Sequence, residues 1–377
     1  MFENKKIAII TDWIKDIWWA EKVLFDIMEL FPEADIYTSV FWQEWNPKFA
    51  WRKIYTSFLQ KIPFLNKRPK IALMFRPRAF ESFDLWQYDI VISSSSAESK
   101  WVITRPETIH FCYCHTPTRY FWSHYFEYFE RLEFGILNFV AKIAMKFFIH
   151  NLRVWDFVAA ARVDFFIANS VNTAGRIAKY YRRESKLIYP GIDLNSFPFS
   201  DIKKDYYFYV WRTIPYKKFD LLVDTFNENW KKIILSTATD NALYRELVKK
   251  SKPNIKWIFG LSNSEVRQYM SEAKAFLFPP EEDFWLVSIE AMATGTPVIA
   301  YKKWWSLETV RENHKYLPST WVFFEEQTVE NLNKAIEKFE TLEFDYQKIR
   351  EYSYNFDISI FKKELKSFIE EKIDLSK

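Results

Sequence analysis

The feature that most constrains the fold is an alternation of short apolar runs with longer amphipathic segments. In the first half of the chain, helical periodicity occupies 20–31, about 134–160 and 172–181. Strands that alternate with helices in this way form parallel sheets with right-handed crossovers. The pattern therefore predicts a doubly wound α/β domain. Its apolar, strand-like runs are 7–10, 34–41, 89–96, 108–114, 164–170 and 186–190.

The same pattern starts again near residue 205, after the proline-containing polar linker PGIDLNSFPFSDIKKD. We expect an N-terminal domain over 1–197 and a C-terminal domain over 198–357. A last amphipathic helix over about 358–377 can pack back on the first domain. Two such domains would bind a ligand in a cleft between the carboxyl ends of their sheets. The second set of strand-like runs is 206–211, 232–238, 254–259, 275–280, 297–301 and 321–324.

Composition excludes several classes of protein. A formal charge of +4 on 377 residues is too small to argue for nucleic-acid binding. The first apolar run is too short for a signal peptide, and no run reaches the roughly 18 apolar residues of a membrane span. We therefore expect a cytoplasmic protein. His110, Cys112 and Cys114 would share one strand face, but no second ligand cluster supports a metal site, so no metal is expected.

The most specific segment is PPEEDFWLVSIEAMATGTPVIAYKKWWSLETV at 279–310, with carboxylates at Glu282 and Glu290. It resembles the donor-sugar motif of glycosyltransferase family 4, which comprises retaining enzymes with the GT-B fold. The family pattern is E-D-F-G-x-x-x-x-E-A-M-A-x-G-x-P-V-I-A, followed by G-G-x-x-E-x-V. This chain follows that pattern except that tryptophan stands where the family has glycine.

Four more segments extend the resemblance over nearly the whole chain. YVWRTIPYKKFDLL (209–222) resembles a Y-V-G-R-x-x-x-x-K motif, and CYCHTPTRYFW (112–122) resembles the acceptor-domain segment that carries a histidine, here His115. TDWIKDIWWAEKV (11–23) is similar to the first glycine-rich loop, and YPGIDLNSF (189–197) to the interdomain stretch. The resemblance implies two Rossmann-like domains and a nucleotide-sugar donor.

Tryptophan usage is unusual, with 17 tryptophans and only 5 glycines. Average usage would give a chain of this length roughly 26 glycines. We expect that UGA codons read as glycine in the cell are written here as tryptophan. The alternative is that these indoles are genuine and stack on sugar rings. Trp13, Trp122 and Trp155 match genuine tryptophans, and Trp42, Trp45 and Trp257 are counted with them. The glycine-like positions are Trp18, Trp19, Trp51, Trp86, Trp101, Trp211, Trp285, Trp304, Trp305, Trp321 and, more weakly, Trp230.

The resemblance also implies roles for individual residues. Arg212 and Lys217 would stabilise the departing diphosphate electrostatically. Glu290 would bind the ribose hydroxyls, and Glu282 would lie by the hydroxyls of the transferred sugar. His115 would lie near the reacting sugar, although a lone histidine after a strand is more often structural. The catalytic set is thus His115, Glu282, Arg212 and Lys217. The other predicted donor-binding residues are Trp18, Trp19, Phe284, Trp285, Leu286, Trp304, Trp305, Ser306, Leu307 and Glu308.

The acceptor side is less specific. The segment 134–153 places basic residues along one helical stripe with a broad apolar face opposite. Such a helix can lie on an anionic membrane, or its apolar face can pack in the core. The weak acceptor or membrane candidates are Arg119, Lys142, Lys146 and Arg153.

The sequence therefore predicts a metal-independent retaining hexosyltransferase at the inner face of the plasma membrane, acting on a glycan or a polyprenyl-diphosphate-linked acceptor. Segments such as TSFLQKIPF and CYCHTPTRY resemble the mannosyltransferase branch, which favours GDP-mannose over a UDP-sugar. A non-catalytic glycan-binding or scaffold protein is the alternative if the tryptophans are genuine.

Overall fold

A computed structural model describes residues 2, 5–15, 19–43, 46–67, 71–123, 125–126, 138–281, 286–303 and 321–375. The side chains of 19, 67, 71, 138 and 140–145 lie outside this description. The chain divides into two compact units, residues 1–190 with 361–377, and residues 191–360. Among the described residues, no helix is both long and apolar enough to cross a membrane.

The first unit is built on a seven-stranded parallel sheet with the order β3-β2-β1-β4-β5-β6-β7. Its strands are β1 (Ile7–Thr11), β2 (Asp35–Thr38), β3 (Ile54–Thr56), β4 (Ile90–Ser95), β5 (Ile109–Cys114), β6 (Phe165–Ala168) and β7 (Ser185–Leu187). Its described helices are α1 (Trp19–Leu30), α2 (Pro63–Lys67), α3 (Arg76–Glu81), α4 (Asn138–Ala160), α5 (Val171–Tyr181) and α12 (Ile358–Leu375), joined by 3₁₀ turns at Pro47–Phe49, Phe58–Lys61, Ile71–Met74 and Ser99–Trp101.

Alternate residues of these strands face two different cores. Ile7 and Ile9 pack in one cluster with α1 and α12, to which α12 contributes Phe361 and Leu365. Ala8 of the same strand faces the opposite cluster, with residues of α3 and α4. The period of two along a strand covered on both faces accounts for the continuous apolar runs in the sequence. The last helix is therefore part of the first unit's core.

The second unit has a six-stranded parallel sheet with the order β10-β9-β8-β11-β12-β13. Its strands are β8 (Lys204–Val210), β9 (Ile233–Thr237), β10 (Ile255–Phe259), β11 (Ala273–Phe278), β12 (Val298–Tyr301) and β13 (Trp321–Phe324). Its described helices are α6 (Phe219–Asn229), α7 (Ala242–Lys250), α8 (Asn263–Glu272), α9 (Leu286–Ala293), α10 (Val329–Glu340) and α11 (Tyr346–Ser353), with 3₁₀ turns at Leu194–Ser196, Pro215–Lys217 and Tyr354–Phe356.

The predicted fold class, two doubly wound Rossmann-like domains, is confirmed, and in each sheet the strand order reverses once. The reversal lies between β1 and β4 in the first sheet and between β8 and β11 in the second. In open parallel sheets, ligands bind at the carboxyl ends of the strands beside such a reversal. Ligand sites are therefore expected in the loops that follow these four strands.

Two tryptophans adopt a backbone conformation that suits glycine. Trp51 has a φ of 67° and Trp230 a φ of 59°. Trp230 caps the C-terminus of α6 in the left-handed region, which is the usual place for glycine. Both indoles project into solvent, with relative exposures of 103% for Trp51 and 60% for Trp230. Trp101 differs because its side chain is fully buried.

A buried carboxylate in α1 makes the stability of the first unit dependent on pH. Burial raises the pKa of Asp26 to about 7, against the opposing effect of Lys362. Since the unfolded carboxyl has a pKa near 3.8, the folded state binds more protons between these values. Stability therefore falls as the pH rises from about 4 to 7.

We predict that Asp26→Asn stabilises the protein at pH 8 by roughly 1–4 kcal/mol and has little effect at pH 4. Unfolding in urea at both values of pH would measure this difference. Glu29→Gln serves as a control of opposite sign, because hydrogen bonds from Lys362 and Lys48 lower the pKa of Glu29. An Asp26→Asn variant less stable than the parent at pH 8 would contradict the prediction.

Candidate active site

Asp12 connects the two loops at the strand-order reversal of the first sheet. It follows β1, and its Oδ1 accepts hydrogen bonds from the backbone N–H groups of Glu98 at 2.8 Å and Ser99 at 2.6 Å. Its Oδ2 accepts the N–H of Ser96 at 2.7 Å. A carboxylate that accepts three backbone donors fixes the loop after β4 relative to β1.

His115 is the predicted site residue that directly follows β5. Its backbone N–H donates to the Ser95 carbonyl at 2.8 Å, and its Nε2 lies 2.9 Å from the Ser94 hydroxyl. The Thr173 hydroxyl donates to the His115 carbonyl at 3.2 Å. Burial and the nearby Arg119 lower the pKa of His115 to about 4, so the ring is neutral at pH 7.

A buried carboxylate holds the loops after β4 and β5 together. Asp156 of α4 forms an ion pair with Lys100 at 2.8 Å, and both side chains are fully buried. Asp156 also accepts hydrogen bonds from the indole N–H groups of Trp101 at 2.8 Å and Trp122 at 2.7 Å. Burial alone would lower the pKa of Lys100, but the Asp156 carboxylate raises it above its ordinary value. Lys100 is therefore a structural cation.

A second buried ion pair, between Arg76 and Glu98, lies near the Lys100–Asp156 pair. Arg76 Nη1 is 2.8 Å from Oε1 and 2.7 Å from Oε2 of Glu98. The Arg76 guanidinium also stacks over the ring of Trp13 at 4.4 Å. Burial raises the pKa of Glu98 to about 7 although Arg76 opposes this. The charges at this edge of the first sheet are thus largely compensated within the unit.

In the second sheet, two cations follow β8 at the strand-order reversal. Arg212 is exposed, whereas Lys217 is only 1% exposed. The Lys217 ammonium lies 3.6 Å from the centroid of the Trp211 ring and 5.0 Å from that of Tyr216. Asn241 fixes this loop by donating to the Thr213 carbonyl at 2.7 Å. The indole of Trp211 therefore covers the ammonium of Lys217.

Glu290 and Leu286 lie on α9, after β11. Both are buried, with relative exposures of 8% for Glu290 and 6% for Leu286. The helix ends at Ala293, and Gly295 in the turn that follows has a φ of 76°. A Cβ at Gly295 would meet the Phe199 ring at 2.6 Å. Glycine is therefore required at this turn, which agrees with the A-x-G-x-P pattern of the sequence.

Several predicted site residues lie wholly or partly outside the described residues. The backbone of Trp19 begins α1, but its side chain is outside the description. The predicted residues outside the described ranges are Trp18, Glu282, Phe284, Trp285, Trp304, Trp305, Ser306, Leu307 and Glu308.

The predicted acceptor residues lie in the first unit. Arg119 is partly buried near His115, and Lys146 is exposed on α4. Lys142 is also on α4, with its side chain outside the description. The Nε of Arg153 donates to the Phe121 carbonyl at 2.6 Å, and its guanidinium stacks over Tyr125 at 4.6 Å. Arg153 thus binds the loop that leads from His115.

Sequence reasoning missed the polar residues that support this edge, namely Asp12, Ser94, Glu98 and Asp156. A carboxylate that directly ends a buried strand was a usable signal for Asp12. Asp156 gave no such sequence signal, because its partners come from three separate segments of the chain. In the part of the chain that is described, no group of three or more His, Cys, Asp or Glu side chains could hold a metal ion.

Two family models match the sequence. The model described as Glycosyltransferase Family 4 matches residues 20–196, and the model described as Glycosyl transferases group 1 matches residues 195–356. No curated protein matches this sequence.

Solved structures with the same architecture cover nearly the whole chain. Anabaena HepE in complex with UDP has a TM-score of 0.69 at 15% identity, over 97% of this chain and 100% of that one. HepE in complex with UDP-glucose has a TM-score of 0.67 at 16% identity, over 98% of this chain and 100% of that one. Sucrose-phosphate synthase from Thermosynechococcus elongatus has a TM-score of 0.72 at 14% identity, over 99% of this chain and 100% of that one. At these identities the likeness establishes the fold.

Proposed function

Because this chain is a glycosyltransferase of the family 4, GT-B type, we propose that it is a retaining hexosyltransferase that uses GDP-mannose. It transfers the hexose to a glycan or lipid-linked acceptor during surface polysaccharide synthesis, at the cytoplasmic face of the membrane. It acts without a metal cofactor, since the sequence has no Asp-x-Asp motif after a strand.

The observation that carries this proposal is the position of Arg212 and Lys217. Both follow β8, at the strand-order reversal of the second sheet, where doubly wound folds bind their ligands. A diphosphate leaving group requires positive charge that is already in position when the glycosidic bond breaks. Glu290, buried on α9 of the same unit, is the partner for the ribose hydroxyls.

The proposed reaction needs no protein nucleophile. The acceptor hydroxyl attacks the face of the sugar that the diphosphate leaves, and the departing phosphate oxygen takes the hydroxyl proton. Arg212 and Lys217 stabilise the charge that develops on the diphosphate. Glu282 binds hydroxyls of the transferred sugar, and His115 contacts the same sugar as a neutral ring.

We predict that GDP at 1 mM raises the Tm of the native protein by a few degrees, and that UDP does so less. A ligand at 100 times its Kd stabilises a folded protein by about 2.7 kcal/mol. Lys217→Met keeps the length of the side chain and removes its charge, so it should weaken GDP binding about tenfold or more. Stabilisation by UDP alone would favour a UDP-sugar over GDP-mannose as the donor. HepE has a solved structure in complex with such a sugar, UDP-glucose. Binding of neither nucleotide would contradict the proposed function.

We also propose that most of the tryptophans in glycine-rich positions are glycine in the cell. Trp51 and Trp230 support this, because a left-handed backbone is costly for a bulky side chain and both indoles are largely exposed. Trp211 supports it in another way, since its ring covers Lys217. Trp101 is an exception: its buried indole donates to Asp156, and we now count it as tryptophan.

Peptide masses of the natively expressed protein, together with the gene's codons, test this proposal. Trp51, Trp211 and Trp230 should be UGA codons and weigh as glycine. Trp13, Trp101 and Trp122 should be UGG codons and weigh as tryptophan. If Trp211 also weighs as tryptophan, Lys217 stays covered, and the non-catalytic glycan-binding or scaffold function is favoured.

The outward side of α4 is the proposed membrane contact. Ile149 and Leu152 pack in the core, yet the opposite side of the helix is apolar as well. Phe147 is 75% exposed and Val158 50%. With the exposed Lys146 beside it, this surface has the composition of a helix that binds an anionic bilayer. Such contact would bring the enzyme to a polyprenyl-linked acceptor.

Vesicle flotation tests this contact. The protein should float with phosphatidylglycerol vesicles and not with phosphatidylcholine vesicles, and Phe147→Ser should reduce flotation severalfold. Phe259→Ser is the matched control, because Phe259 is 53% exposed but lies in the second unit. Equal loss in both variants, or no binding to anionic vesicles, would remove the membrane proposal.

A further inference from the structure

Two serine–histidine pairs lie side by side on β4 and β5. The Oγ of Ser93 is 2.9 Å from Nε2 of His110, and the Oγ of Ser94 is 2.9 Å from Nε2 of His115. The first pair is enclosed in the sheet, whereas the second lies at its carboxyl edge, in the candidate site. The distances are the same, but the surroundings of the two hydroxyl groups differ.

The Ser94 hydroxyl has a single hydrogen-bond partner in the described structure, which is Nε2 of His115. Ser94 is only 3% exposed, so its hydroxyl hydrogen has little access to water. If Nε2 carried a hydrogen and donated it to the serine, the hydroxyl hydrogen would be buried without an acceptor. An unpaired buried donor is costly. The favoured arrangement has Ser94 donating to Nε2, which leaves the ring hydrogen on Nδ1.

The Ser93 pair has the opposite preference. The Ser93 hydroxyl can donate to the Phe111 carbonyl at 3.5 Å, so its oxygen can accept a hydrogen from Nε2 of His110. In the described structure, Nδ1 of His110 is buried without a partner. An unpaired lone pair there costs less than an unpaired N–H. His110 should therefore carry its hydrogen on Nε2.

We propose that Ser94 is a positioning residue that holds His115 in the Nδ1–H form. His115 then presents a hydrogen-bond donor, and not a base, to the donor sugar. The identity of that ligand rests on the proposed function, whereas the tautomer rests on Ser94 alone. Besides Ser94, the described groups that act on the ring are Arg119, through its charge, and the Tyr113 ring, whose centroid is 5.3 Å from that of His115. The low pKa of His115, caused by burial and Arg119, keeps the ring neutral, so a tautomer is defined at pH 7.

The tautomers can be observed directly by long-range ¹H–¹⁵N NMR of the full chain labelled at its 5 histidines. Signals of His110 and His115 are assigned by their loss in His110→Gln and His115→Gln. At pH 7.5, His115 should show the Nδ1–H pattern and His110 the Nε2–H pattern. Ser94→Ala should convert His115 to a mixture of tautomers, and Ser94→Thr should restore the parent pattern. Ser93→Ala is the matched control, and it should leave His115 unchanged.

Turnover measures the consequence for catalysis. With GDP-mannose or UDP-glucose as donor, Ser94→Ala should lower kcat about fivefold to tenfold with little change in KM, and Ser94→Thr should recover most of it. An Nε2–H pattern at His115 in the parent protein would overturn the inference, as would an unchanged kcat in a variant whose tautomer has changed. If neither nucleotide sugar is turned over, the proposed function fails, and the spectra still decide the tautomer.

Discussion

The candidate site of the first unit depends on one buried carboxylate, that of Asp156. A charge removed from water must be compensated by partners inside the protein, because an isolated buried ion is very costly. Asp156 has such partners in the Lys100 ammonium and two indole N–H groups. The Tyr181 hydroxyl at 2.8 Å and the Thr118 hydroxyl at 3.2 Å add to them. These donors come from the loops after β4 and β5 and from α5, so a single carboxylate fixes the segments on either side of His115.

The sequence predicted most of the fold because apolar periodicity is a local property. Most strands of both sheets, and the helix α12, follow from apolar or amphipathic runs that can be read directly in the sequence. The prediction missed β3, which has only three residues and two of them exposed, so it leaves almost no apolar signal. It also left α10 and α11 unnamed, although the buried residues Leu332, Ala335, Ile336 and Phe339 of α10 recur at helical spacing. Asp156 and Ser94 could not be found in this way, because their roles depend on partners far along the chain.

Backbone conformation distinguishes between tryptophans that the sequence pattern treats alike. Trp51 and Trp101 both stand where the family accepts glycine. Trp51 has a left-handed backbone and a fully exposed indole, so the fold gains nothing from that side chain. Trp101 stacks on Phe121 with the centroids 6.1 Å apart and donates to Asp156, so its loss would open a cavity and leave an acceptor unpaired. A motif gives the family's preference at a position, and the packing shows what this chain requires there.

The described contacts of the buried cations differ between the two units, and this difference is relevant to where a diphosphate would bind. In the first unit, Arg76 is paired with Glu98 and Lys100 with Asp156, and His115 is neutral. An anion brought beside these two side chains would find both cations already bound to carboxylates. In the second unit, Lys217 lies against the rings of Trp211 and Tyr216. The proposed function therefore assigns the diphosphate to the second unit, where Arg212 and Lys217 follow β8 at the strand-order reversal.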